Sequence, residues 1–159
     1  MIQRIQTLYL FIAAVLGTLL CFFSPVQLIS PEGAEVFHQY EFTFAHVVDI
    51  TNPEAPVNVM NIVSLSIITI FIPLLALVDI FLYKKRILQA RLNVITVVVC
   101  LGYYAILATY IWFAEMNLHA DWYLTVWAAI PLLCLVLVLM ATRRILHDEA
   151  LVKAADRLR

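Results

Sequence analysis

Hydrophobic positions gather into four long stretches, at residues 5–23, 59–83, 92–114 and 122–142. Each is about the length of the ~20 helical residues that cross a hydrocarbon core. The pattern therefore predicts four transmembrane helices, a loop over residues 24–58, two short connections and a tail over residues 143–159. The loop reads differently from the spans. Pro25, Pro31, Gly33, Pro53 and Pro56 punctuate it, and residues 26–30 and 35–48 are rich in β-branched and aromatic side chains. Between them Pro31-Glu32-Gly33 predicts a turn. In residues 36–44, Val36, His38, Tyr40, Phe42 and Phe44 alternate with Phe37, Gln39, Glu41 and Thr43, giving the one mostly apolar face of a half-buried strand. The expected structure is a small antiparallel β-hairpin leaning on the helix ends, since an isolated hairpin is marginal in water.

Polar and small positions inside the spans predict which faces meet. Ala13, Gly17 and Cys21 recur at i, i+4, i+8, with Ala14 and Thr18 beside them. Small residues at this spacing let helix backbones approach closely in lipid, within the chain first and in a homodimer otherwise. The second span carries Asn58, Asn61 and Ser64 near its outer end, then Thr69, Pro73 and Asp79, and Pro73 predicts a kink. Asn93, Thr96, Cys100, Tyr103 and Tyr104 give the third span a face suited to the bundle interior. After the fourth span the helix is expected to continue to the C-terminus, with His147, Leu151, Ala154 and Leu158 on one stripe and Glu149 paired four residues before Lys153. The echo between Lys85-Arg86-Ile87-Leu88 and Arg143-Arg144-Ile145-Leu146 is four residues in a biased sequence, which chance explains.

Composition removes the soluble classes. Of the 159 residues, 64% are hydrophobic and 13% charged, unlike an ordinary globular domain. The net charge of −1 conceals a strict partition. All ten basic residues (Arg4, Lys84, Lys85, Arg86, Arg91, Arg143, Arg144, Lys153, Arg157 and Arg159) lie on one side of the four stretches. The other side carries seven acids, Glu32, Glu35, Glu41, Asp49, Glu54, Glu115 and Asp121. The positive-inside rule then places both termini in the cytoplasm and the 24–58 loop in the periplasm of a bacterial inner membrane. Trp112, Phe113, Trp122 and Tyr123 form the matching aromatic belt. Juxtamembrane basic clusters suit anionic headgroups rather than nucleic acid. The first stretch is longer than a secretory h-region and lacks a small-x-small cleavage site, so it reads as a retained anchor. Cys21, Cys100 and Cys134 fall in different spans without a CxxC pair, which excludes a disulfide framework and favours plain packing.

Little chemistry remains. Asp79 is the one acid well inside an apolar stretch, and such a carboxylate is a functional candidate by default. It lies about 7.5 Å of helix from Lys84, so pairing with Arg91 or Asn93 across the short turn is the favoured reading and ion coupling the other. His38, His46 and His119 share the outer side with carboxylates, yet none of their spacings matches a metal motif, and they read as scattered surface histidines. No histidine lies within a span to ligate haem. GxSxG, Walker, HExxH and CxxC patterns are absent from the sequence, so no catalytic, cofactor-binding or metal site is expected.

Met1–Leu10 (MIQRIQTLYL), residues 147–159 (HDEALVKAADRLR) and residues 86–94 (RILQARLNV) resemble the ends and basic turn of a bacterial family, from the Bacteroidota, known only as a domain of unknown function. The resemblance implies a small four-helix inner-membrane protein and brings no activity, ligand or catalytic residue with it. The residues that carry it include Gln3, Arg4, Gln6, Asp148, Glu149, Asp156, Arg157 and Arg159, which are polar and lie at the cytoplasmic ends.

The expected fold is thus an all-α integral membrane protein: one domain with a four-helix bundle, a small extracytoplasmic hairpin between the first two helices, and a cytoplasmic extension of the fourth. The expected role is that of a non-enzymatic accessory or scaffold subunit, with the bilayer and a membrane-protein partner or a second copy as its contacts. Asp148, Glu149, Leu151, Asp156, Arg157, Leu158 and Arg159 are the candidate contact residues. An oligomeric transporter or channel-like protein using Asp79, Arg91 and Asn93 is the alternative.

Overall fold

A computed structural model describes residues 3–29, 38–51, 56–83 and 85–157. In chain order the elements are α1 (Gln3–Leu19), β1 (Val26–Ile29), β2 (Gln39–Phe42), β3 (His46–Asp49), β4 (Val57–Asn61), α2 (Val63–Phe81), α3 (Arg86–Leu118), β5 (Asp121–Leu124), a 3₁₀ turn (Val126–Ala129) and α4 (Ile130–Arg157). The fold is mixed, and this corrects the all-α expectation. In place of a small hairpin there is a five-stranded antiparallel sheet in the order β4-β3-β2-β1-β5.

The helices form a closed ring in which α1 packs on α2 and α4, and α3 packs on the same two. Buried positions follow steps of three and four along each helix. On α3 they are Gln89, Asn93, Thr96, Cys100, Tyr103 and Leu107; on α1, Gln6, Leu10, Ala13 and Gly17, with Leu20 just beyond its end; on α4, Cys134, Val138, Ala141, Ile145 and Asp148. Alternating steps of three and four are the spacing of a helix-bundle seam. The outward faces are apolar instead of polar. Phe11, Ile67, Phe71, Val98, Leu101 and Leu132 are all exposed. Such an exterior suits lipid as the solvent.

Three helical segments are long and apolar enough to cross a membrane: Val63–Phe81, Ile87–Leu118 and Val126–Leu151, with mean hydropathies of 2.4, 2.1 and 2.1. The apolar part of the first helix, Ile5–Leu19, is shorter. Beyond Leu19 the chain tightens into i+3 bonds, Cys21 N–H to Thr18 C=O at 3.1 Å and Phe22 N–H to Leu19 C=O at 3.0 Å. Pro25 then disfavours helix for the residue before it and opens β1. The small-residue stripe of α1 faces inward. A Cβ on Gly17 would lie 3.1 Å from Pro73 Cδ, so the proline of α2 and the glycine of α1 fit each other. On the opposite side Cys134 Sγ donates to Ala13 C=O at 3.4 Å.

The sheet closes the end of the bundle away from the chain termini. Val26, Leu28, Tyr40, Phe42 and Val47 form its buried face and join the helical core. The alternation read for residues 36–44 thus holds at Tyr40 and Phe42, although the 35–48 segment is two strands, turning at Thr43, whose N–H and Oγ1 both donate to His46 C=O. The Pro31-Glu32-Gly33 turn and Val36–Phe37 lie outside the described residues. Two strands had been read as parts of spans. Val57–Asn61 forms an edge strand on β3, with a register irregularity between Val47 and Val48. Asp121–Leu124 pairs with Val26–Ile29, so the fourth helix starts at Ile130 rather than near Trp122. Ser66 Oγ donates to Phe44 C=O, and Thr125 N–H to Pro25 C=O at 3.1 Å, tying sheet to helices.

Candidate functional site

At the end of the bundle remote from the sheet, polar side chains occupy positions that the helical period turns inward. The α2–α3 turn brings Asp79, two residues before the end of α2, beside the first turns of α3. Gln89 Nε2 donates to the Asp79 backbone carbonyl at 3.2 Å. Asn93 stands one turn farther along the same face. Side chains tilt toward the N-terminus of their own helix. Asp79 therefore leans away from the α2–α3 turn and Asn93 leans toward it, each in the direction of the other. Both are fully buried. Neither carboxylate oxygen of Asp79 and neither amide atom of Asn93 has a hydrogen-bond partner among the described residues. Thr96, also buried, donates to Leu92 C=O at 3.1 Å and keeps its oxygen lone pairs.

Arg91 does not join them. It faces out of the bundle, because two residues from Gln89 or Asn93 is about 200° around a helix. The residues that the sequence offered as an intramembrane set are therefore split: Asp79 and Asn93 are both buried on the packed helices α2 and α3 without a hydrogen bond to a described residue from either side-chain head group, and Arg91 is excluded.

A second carboxylate is buried at the same end. Asp148 of α4 accepts a hydrogen bond from Gln6 Nε2 of α1, with Nε2 2.6 Å from Oδ2. The sequence offers Asp148 as a partner contact, and the structure instead turns it into the chain. Its signal was present in the α4 period, where Cys134, Val138, Ala141, Ile145 and Asp148 share a face. Leu151 is exposed and Glu149 half-buried. The side chains of Asp156 and Arg157, and residues Leu158 and Arg159, lie outside the described residues.

At the opposite end, a cavity of about 470 Å³ separates sheet from helices, lined among others by Cys21, Gln27, Glu41, Thr69, Tyr103 and Trp127. Trp127 stacks on Phe23 with ring centroids 3.8 Å apart. Nearby, the Tyr104 hydroxyl donates to Ala128 C=O at 2.8 Å and accepts from Leu132 N–H at 3.1 Å, so its polar end is satisfied. On the sheet, His38 Nδ1 lies 3.0 Å from Asp49 Oδ2, and the Thr51 N–H and hydroxyl both donate to Asp49 Oδ1. Burial pushes the Asp49 carboxyl up, and these hydrogen bonds with the His38 charge outweigh it, leaving the group below its ordinary value. His46 begins β3, and His119 ends α3 in the left-handed conformation at φ 48°. Among the described residues, no three His, Cys, Asp or Glu side chains gather where they could hold a metal ion.

The described geometry thus offers one inward carboxyl–amide couple without partners, one with them, and a polar sheet that caps the helices. No curated protein matches the chain. Residues 2–158 match the model of the family described as Domain of unknown function (DUF4293), and the chain belongs to that family.

Proposed function

We propose that this is a multi-pass protein of the bacterial inner membrane, with both termini cytoplasmic, acting as a non-enzymatic accessory or scaffold subunit of a membrane complex. The ten-to-none division of basic residues supports this orientation, with the sheet on the periplasmic side. The observation that carries the role is the edge strand β4. Val57 and Val59 are 61% and 41% exposed, and the sheet order leaves the outer edge of β4 without a strand among the described residues. An uncovered apolar edge is a template for another strand, and soluble proteins usually blunt it with charge or proline. On the cytoplasmic side, exposed Leu146 and Leu151 give α4 a second contact surface.

Extraction in mild detergent followed by native mass measurement tests this reading. The expected species is heavier than the 18.1 kDa chain, and Val57→Lys with Val59→Lys returns it to a monomer. A wild-type protein that is strictly monomeric and partner-free overturns it.

The buried Asp79 and Asn93 support a second reading, an oligomeric transporter or channel-like protein. It predicts that Asp79→Asn abolishes flux in proteoliposomes, and unchanged flux removes Asp79 from any such mechanism.

A further inference from the structure

Asp79 and Asn93 are both at 0% exposure, yet four polar atoms between them have no protein partner. Within a helical bundle an uncompensated carboxylate is among the costliest groups to bury, and native structures neutralise it or pair it. Here the usual means are missing among the described residues. Arg91 and Lys85 face outward. Gln89 spends its amide on the Asp79 backbone. From α1 the inward residues at this end are Gln6 and Leu10, and from α4 they are Ala141, Ile145 and Asp148. Asp148 is the titratable one, and Gln6 already engages it.

We propose that Asp79 and Asn93 form an intramembrane site for one small monovalent cation, a proton or a sodium ion. The donor set fits either ion. Two carboxylate oxygens and the Asn93 amide oxygen are hard ligands of the kind that small hard cations take. A proton on one Asp79 oxygen would neutralise the carboxyl and turn that oxygen into a donor, for which Asn93 Oδ1 is a bare acceptor on the facing helix. In both cases the cation cancels the charge and satisfies atoms that the helices leave bare. The site deepens the transporter reading of the same two residues, but it holds the ion whether or not the ion crosses the membrane, so ion binding without flux would overturn that reading and leave the site standing.

The test is carbodiimide labelling of the full-length protein in proteoliposomes, read at residue 79 by peptide mass spectrometry, with thermal unfolding in sodium chloride against choline chloride. Carbodiimides modify protonated carboxyls in apolar surroundings. If the ion is a proton, labelling of Asp79 rises several-fold as the pH is lowered and is indifferent to sodium. If it is sodium, sodium suppresses labelling and raises the unfolding temperature of the wild type. That sodium-dependent rise is lost in Asp79→Asn and Asn93→Leu. Absence of label at every pH together with identical unfolding in sodium and choline overturns the site. Wild-type behaviour of Asn93→Leu in both measurements removes Asn93 and overturns the two-residue site.

Discussion

The two seams at one end of this bundle contain the same chemistry and solve it differently. Between α1 and α4 a buried amide, Gln6, meets a buried carboxylate, Asp148, at 2.6 Å. Between α2 and α3 a buried amide, Asn93, and a buried carboxylate, Asp79, stand on packed helices, and no side-chain hydrogen bond from a described residue closes on either. A hydrogen bond to a charged group contributes about 1.5–3 kcal/mol, whereas a buried group left unsatisfied costs about as much. Placing an acid and an amide together inside a bundle therefore stabilises nothing by itself. Reach and registry decide. Gln6 spans the α1–α4 gap with one more methylene than Asn93 has, and the longer amide available to Asp79, Gln89, is held by the backbone of the same residue. The first seam acts as a clamp, and the second is a site that something else must complete.

Substitutions on either seam can break that comparison. The largest effect is expected from Gln6→Leu, which strands the Asp148 carboxylate and should lower the unfolding free energy by about 3 kcal/mol. Chemical unfolding of reconstituted protein measures it, and adding Asp148→Leu should restore most of the loss. A smaller penalty, about 2 kcal/mol, is expected from Gly17→Leu, because the new side chain meets Pro73 Cδ and backbone nitrogen within 3.2 Å. This one disturbs the α1–α2 contact without touching either polar couple, so it calibrates what packing alone is worth. Replacing both Asp79 and Asn93 by Leu should act in the opposite direction, stabilising by about 1 kcal/mol in sodium-free buffer, since it removes buried groups that no protein atom satisfies. If that double variant is destabilised as Gln6→Leu is, the two seams are equivalent and the distinction fails.

How much of this was legible in the sequence depended on how local its cause is. The helices showed because lipid demands a long apolar run, and Asp79 showed because it interrupts one. Pairing Asp79 with Arg91 failed for a geometric reason, since α3 already turns at Arg86 and phases Arg91 outward while Gln89 and Asn93 point in. The sheet was hidden for another. Val57–Asn61 continues directly into an apolar run, and Trp122-Tyr123-Leu124 reads as a membrane-interface belt, yet Asp121–Leu124 is a strand whose partner is Val26–Ile29. Strand preference depends on partners, and these are nearly a hundred positions away in the chain. The Gln6–Asp148 bond joins residues 142 positions apart. Each end showed its own period, but neither pointed to the other, so Asp148 looked like a surface residue available to a partner.

The sheet supplies a third carboxylate, Asp49, and with it the smallest of the expected effects. Asp49 is half-buried near water, where His38 and both donors of Thr51 surround it. Although burial raises its pKa, the Thr51 and His38 contacts lower it further, so the folded value lies below the unfolded one. A depressed carboxylate contributes stability that is fully present above the unfolded pKa, about 3.9, and is lost as the pH falls through the folded value. Acid should accordingly weaken the sheet below about pH 4. Thr51→Val removes the hydroxyl donor but keeps the amide, so it should raise the folded pKa of Asp49 toward the unfolded one and shrink the acid-dependent loss, at a cost of under about 1 kcal/mol near neutral pH. Following the unfolding midpoint against pH for wild type and variant checks both signs. An unchanged acid limb in Thr51→Val would mean that the hydroxyl does not hold this carboxylate. Asp49 would then no longer show how a carboxylate in this chain behaves when protein donors satisfy it, which is the standard against which bare Asp79 is judged.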